Sequence, residues 1–178
     1  MKKLIFGFSK PKNLTFKPFA KIIMAVDNIN YDHGYIRFPS ASWETSFIYQ
    51  SSGSRTNFMS QQLFDKINET VEEYEIEVEE TNYNKIGALC VSREGLPYPV
   101  GQIIGIGLIK AIYYLTHGNV HIKKNPFSSG YDQPDCIEEQ AKILKDGLGI
   151  HTPFDMDVIT VKPFRDWLAI LPQMTRIK

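Results

Sequence analysis

Asp132-Gln133-Pro134-Asp135-Cys136-Ile137-Glu138-Glu139-Gln140-Ala141 is the stretch from which the fold can be worked outward. A proline sits just before the cysteine, and Asp135 and Glu138 stand three apart, the spacing of a capping box at a helix start. Ile137, Ala141, Leu144 and Leu148 recur at helical spacing, so a helix runs from Cys136 with one face toward a core. Gly147-Leu148-Gly149 ends it. Cys136 then lies at the first turn, beside the apolar face. The partial positive charge of a helix N-terminus favours a thiolate, whereas Asp132, Asp135 and Glu138 oppose it. A nucleophilic role for this sulfur therefore needs a histidine from elsewhere in the chain.

Of the four histidines, His33 is the best placed. Tyr31-Asp32-His33-Gly34-Tyr35-Ile36-Arg37-Phe38 reads as a loop entering a strand rich in aromatic and β-branched residues, with His33 at its start. Thr45-Ser46-Phe47-Ile48-Tyr49-Gln50-Ser51 is a second strand, closed by the turn residues Ser52-Gly53-Ser54. Two adjacent strands can present His33 and Gln50 to a cysteine that arrives later on a helix. Nucleophile, base and orienting group are what covalent amide chemistry requires.

The ordered set Phe8-Ser9-Lys10, Tyr31-x-His33-x-Tyr35-Ile36-Arg37, Ile48-Tyr49-Gln50-Ser51-Ser52-Gly53 and Cys136-x-Glu138 resembles the circularly permuted papain-like amidases. These are relatives of the NlpC-type cell-wall cysteine peptidases, the YiiX-like hydrolases and the lecithin retinol acyltransferases, in which the histidine strand precedes the cysteine helix. The likeness runs from about Phe6 to Trp167. It implies Cys136 as nucleophile, His33 as general base and then acid, and Gln50 as the group that orients the imidazole. Glu138 falls on the glutamate of the family's Cys-Ser-Glu pattern, although capping the helix together with Asp135 is its simpler role. Tyr31 and Tyr131 flank the two elements in sequence and are candidates to offer a hydroxyl to substrate or oxyanion. Two departures stand out. Ile137 replaces the usual serine, and the neutral Gln50 stabilises an imidazolium less than a carboxylate would, so reduced or absent activity is one of the outcomes the sequence allows.

The implied activity is a cysteine hydrolase working through a thioester, with amide bonds of peptidoglycan-type peptides as the substrate class and a virus-borne protein as one setting. A thioesterase or acyltransferase for lipid acyl groups is an alternative that requires an apolar channel to Cys136. A catalytically silent interaction module is the third.

The 178 residues, 43% of them hydrophobic, suit a single domain over 1–178. Twenty basic and twenty acidic residues balance, so no global field draws the chain to nucleic acid. A peptide or acyl substrate is the expected partner. The two cysteines need form no disulfide, and Cys90 reads as a small core residue. His117 and His121 are separated by Gly118-Asn119, Asp155 and Asp157 lack further spaced ligands, and Gly101, Gly105 and Gly107 follow no strand, so neither metal nor cofactor is expected. Leu4–Phe8 is too short for a signal-peptide core, and the expected setting is the cytoplasm or a virus particle. Val100–Leu115 falls short of a membrane span, so membrane contact is not expected.

The coarse order is strand 4–9, helix 17–28, strands 33–39 and 45–51, helix 60–69, strand 74–79 and helices 81–92, 100–115, 136–148 and 160–167. Glutamates alternate through Tyr74–Glu79, which gives that strand a wet face. The class is α+β, an antiparallel sheet packed against helices.

Overall fold

The structure, a computed structural model, describes residues 1–13, 18–40, 45–53, 55–120, 122, 124–127, 133–155 and 159–178. Its strands are β1 (Lys2–Pro11), β2 (His33–Ser40), β3 (Thr45–Ser52), β4 (Arg55–Ser60), β5 (Asn68–Val78) and β6 (Thr175–Arg176). The helices are α1 (Pro18–Asp27), α2 (Gln61–Ile67), α3 (Glu80–Ser92), α4 (Val100–Leu115), α5 (Cys136–Leu148) and α6 (Val161–Ile170). All six strands join one antiparallel sheet in the order β4-β3-β2-β1-β5-β6. The expected α+β class, an antiparallel sheet with helices against it, is the one the chain adopts.

Side chains alternate between the faces of the sheet, and each face has its own cover. Leu4, Phe6, Phe8, Ile36, Phe38, Tyr49, Tyr74 and Ile76 form the main core with residues of α3, α5 and α6. On the other face Tyr35 and Ile48 close a smaller core with Phe64 of α2. Gly7 is what lets Tyr35 lie across β1: a Cβ there would overlap the Tyr35 ring. The Tyr35 hydroxyl thereby reaches Glu73 at 2.8 Å, and Arg37 meets the same carboxylate at 2.5 Å.

Several expectations are corrected. The segment after Gly53 forms β4, a polar edge strand paired with β3 from Ser52↔Arg55 to Phe47↔Ser60. Its short sequence, Arg-Thr-Asn-Phe-Met-Ser, carries little apolar signal because an edge strand needs little. The helix expected over 60–69 stops at Ile67, and β5 begins at Asn68, ahead of the expected 74–79. Glu77 and Glu79 are exposed as expected of a wet face, but Glu72 and Glu73 just upstream are buried and paired with Arg165 and Arg37. β6 and the last turn of α6 were not expected either.

The largest departure concerns α5. An amphipathic helix was expected, yet Cys136 through Leu144 are all buried, including Glu138, Glu139, Gln140 and Lys142. Polar groups tolerate such burial only when partnered. Arg93 at the C-terminal end of α3 donates to Glu139 from Nε to Oε1 at 2.7 Å and from Nη2 to Oε2 at 2.9 Å, and the Tyr49 hydroxyl donates to the same carboxylate at 2.7 Å. Gln140 Nε2 donates to the carbonyls of Tyr35 (3.1 Å) and Gly7 (3.4 Å), which ties the helix to the middle of the sheet. At the far end Gly149 takes φ +70°, and Gly149 and Ile150 donate to Lys145 and Leu144, a Schellman-type stop. No helix among the described residues is long and apolar enough to cross a membrane.

Candidate active site

α5 begins where the sheet ends. Asp135 is its N-cap, with Oδ1 accepting from the N–H groups of Ile137 and Glu138 at 2.8 Å each. The Glu138 carboxylate accepts in return from the Asp135 N–H, so the capping box read from the spacing is closed. Ser51 at the end of β3 donates to the Pro134 carbonyl at 2.6 Å and fastens this turn to the sheet. Gly34 of β2 supplies the room: a Cβ there would overlap Gln140 Nε2 and press on Ile137 Cδ1. The Cys136 sulfur accepts from the Gly34 N–H. The sulfur thus meets the residue that follows His33 in the chain.

His33 is buried and its Nε2 lies 2.7 Å from Gln50 Oε1. Ile36 pairs with Tyr49, which sets Gln50 and His33 on the same face as diagonal neighbours. Gln50 Nε2 points away, toward Asn57 Oδ1 (3.4 Å) and Met59 Sδ (3.6 Å), so its carbonyl oxygen is the atom that meets the ring. An amide oxygen only accepts, so Nε2 carries the proton and Nδ1 keeps the lone pair. Ser9, opposite His33 on β1, is buried, and its hydroxyl has no hydrogen-bond partner among the described residues.

Two cavities adjoin here. The larger, about 640 Å³, is lined by His33 and Gln50 together with Asp32, Asn13, Ser52, Lys66 and Asn68. The smaller, about 40 Å³, is almost wholly apolar and reaches Cys136 between α1, α4 and α5. Ile23, Tyr98 and Ile103 line both. Cys136 borders only the smaller cavity and His33 only the larger.

Electrostatics hold the sulfur as a thiol. Burial pushes the Cys136 thiol far above its ordinary value, and the carboxylates of Asp135 and Asp32 add to the shift, while the Gly34 N–H works against it. The acidic neighbours therefore outweigh the helix terminus, whose Ile137 and Glu138 N–H groups are already spent on Asp135. Asp135 itself is pushed up to about 7, first by burial and then by the charge of Glu138. Burial raises Glu138 too, against the pull of Lys142 at 3.4 Å and of the Gln102 amide at 3.2 Å.

The other expected residues fall as follows. The Tyr31 ring packs 5.6 Å from Phe8 in the main core, its hydroxyl accepts from Arg165 at 2.8 Å, and it lines neither cavity, so this geometry does not support an oxyanion role. Tyr131, His121 and Asp157 lie outside the described residues. Cys90 is buried in the main core, where burial pushes its thiol well up. Among the described residues no group of three or more His, Cys, Asp or Glu is arranged to hold a metal ion.

Tyr98 is the residue the sequence reading missed, having taken Pro97-Tyr98-Pro99 only as a break. A ring between two prolines has a backbone fixed on both sides, and that was the available signal. The segment before it is stapled to β4: Thr56 N–H donates to Leu96 at 2.8 Å, Leu96 N–H to Thr56 Oγ1 at 3.0 Å, and the Thr56 hydroxyl to the Arg93 carbonyl. Burial pushes the Tyr98 hydroxyl well up, with Cys136, Asp135 and Asp32 contributing in that order, so it remains a donor at any working pH.

In chain order the strand that carries His33 precedes the helix led by Cys136. Among solved structures the chain is similar to the one described as metalloprotein yiiX from Escherichia coli O157:H7, DUF1105, with a TM-score of 0.58 and 10% identity over 99% of this chain and 95% of that one. At that identity the likeness is one of fold. No family model and no curated protein matches the sequence.

Proposed function

We propose that the protein is a cysteine hydrolase that cleaves amide bonds by acyl transfer to Cys136, with peptides of the cell-wall type as the substrate class. The observation that carries this reading is the buried His33–Gln50 hydrogen bond at the strand end where the Cys136 sulfur meets the Gly34 N–H. Gln50 fixes the tautomer, and His33 Nδ1 takes the thiol proton as the sulfur attacks the carbonyl carbon. Because the thiol is held neutral at rest, deprotonation and attack are coupled rather than preceded by a stored ion pair. The C–N bond then breaks, His33 returns the proton to the leaving amine, and water activated by the same imidazole releases the acyl group as a carboxylic acid. With the Ile137 and Glu138 N–H groups committed to the cap, we assign the oxyanion to the Tyr98 hydroxyl and to the Cys136 N–H, which at rest meets its own sulfur.

The large cavity on the His33 side, with amides, hydroxyls and Lys66 on its walls, suits the polar amine half of a peptide. A second reading, a thioesterase or transferase for acyl groups, is favoured by the apolar wall around Cys136. The test is incubation of wild-type and Cys136→Ala protein with cell-wall stem peptides, followed by quantification of new amino termini and by intact-mass detection of an acyl adduct. Release of amines by the wild type alone, with an adduct on Cys136, supports the reading. Equal release by both proteins, or none by either, defeats it.

A further inference from the structure

The crevice at Cys136 has no role in the chemistry above, and its walls are selective. Ile22, Ile23, Ile103, Ile106, Ile159 and Val161 surround it, and Gly107 of α4 leaves a gap on its helical wall. Asp27, from the end of α1, fixes the α6 side of the wall by accepting from the Thr160 hydroxyl at 2.8 Å and the Lys162 N–H at 3.1 Å. Ile159 and Val161 are buried, so the wall is packed from behind and does not yield cheaply.

We infer that this crevice is the acyl-side specificity pocket of the site: it takes a short aliphatic group attached to the reacting carbonyl and excludes long acyl chains. The inference rests on the hydrolase reading and narrows it. A space of about 40 Å³, where a single water needs about 10–15 Å³, has room for only a few heavy atoms. Ala- or Val-sized side chains and two- to four-carbon fatty acyl groups fit; an eight-carbon chain does not. The leaving group, by contrast, lies in the larger cavity that Ile23, Tyr98 and Ile103 also line, where size is not limiting.

The test is the rate of acylation of Cys136, read by intact mass, by p-nitrophenyl acetate, butyrate and octanoate. Each reaction forms the S–C bond, breaks the ester C–O bond and releases p-nitrophenol. A parallel arm uses the p-nitrophenyl esters of N-acetylalanine, N-acetylvaline and N-acetylphenylalanine, which separates amino-acid side chains from simple acyl chains as the natural occupant. Octanoate should react at least tenfold more slowly than butyrate, and the phenylalanine ester at least tenfold more slowly than the alanine ester. A preference confined to one arm names the source.

Ile159→Ala, which lengthens the crevice, should raise the octanoate-to-butyrate ratio at least fivefold. Gly107→Leu, which fills it from α4, should lower the butyrate-to-acetate ratio. Both readouts are ratios within one protein, so partial unfolding of a variant does not mimic them. Octanoate as fast as butyrate in the wild type, or ratios unmoved by both substitutions, overturns the inference while leaving the hydrolase reading standing. If no ester places an adduct on Cys136, both fall.

Discussion

Asp135→Asn separates two opposite accounts of the cap beside the sulfur. An ordinary N-cap carboxylate is stabilised by the helix terminus, has a lowered pKa, and strengthens the fold as pH rises. Asp135 is different because it is buried against Glu138, which lifts it from an ordinary 3.8 to about 7. In the unfolded chain the proton leaves near 3.8, whereas in the folded protein it stays until about 7. The stabilisation is therefore complete below the unfolded value and is lost as pH climbs through that window. At 1.36 kcal/mol per unit, the shift amounts to about 4 kcal/mol. Asparagine keeps an oxygen to accept from Ile137 and Glu138 but never ionises. Urea unfolding of both proteins from pH 4 to 8 isolates the effect, because other titrating groups are common to both. Relative to Asp135→Asn, the wild type should lose about 4 kcal/mol across that range. A flat difference curve, or one in which the wild type gains as pH rises, refutes the argument. Cys136 supplies an independent readout. Removing the adjacent charge should lower the thiol's pKa, so iodoacetamide should alkylate the variant severalfold faster at pH 8.

Three more outcomes follow from contacts around the site. Gln50→Glu replaces a neutral acceptor with a charged one at 2.7 Å from His33 Nε2 and should stabilise the imidazolium, moving the basic limb of a His33 titration followed by NMR to higher pH; an unchanged titration counts against the pairing. Gly34→Ala forces a Cβ against Gln140 and Ile137 and should destabilise the fold by about 1–3 kcal/mol in urea unfolding while slowing Cys136 acylation, because α5 must back away from β2. Arg93→Met leaves Glu139 buried without its cation and should lower stability by about 3–5 kcal/mol, most of it recovered in the Arg93→Met/Glu139→Gln double variant; additive losses in a double-mutant cycle would show that the pair does not act as a unit.

What the sequence made legible follows from the range over which each signal acts. The start of α5 was readable because a capping box and a period of apolar residues are local: Asp135, Glu138, Ile137, Ala141 and Leu144 lie within ten positions, and Gly149 marks the stop by its own backbone requirement. His33 and Gln50 could be paired because two strands joined in sequence have few ways to pair. The burial of α5 on nearly all sides was not readable. Glu139 looks like a solvent-facing helix residue until Arg93 and Tyr49 arrive from 46 and 90 positions away. A charge whose partner is remote in the chain carries no local mark that it is buried.

The same contrast bears on the chemistry. Proximity to a helix N-terminus argued for an activated thiolate, yet the residue that makes the helix begin there, Asp135, consumes two of the N–H groups and places a carboxylate beside the sulfur. Local order and nucleophile activation thus draw on the same few backbone donors. On the proposed mechanism, a chain that caps its helix so completely draws proton removal from the His33–Gln50 pair on the sheet and oxyanion stabilisation from Tyr98, held by two prolines and the Thr56 staple beside both cavities. On that reading Ile137 can stand where the family that the sequence resembles carries serine. In this chain its side chain packs against Gly34 and holds the helix on the strand.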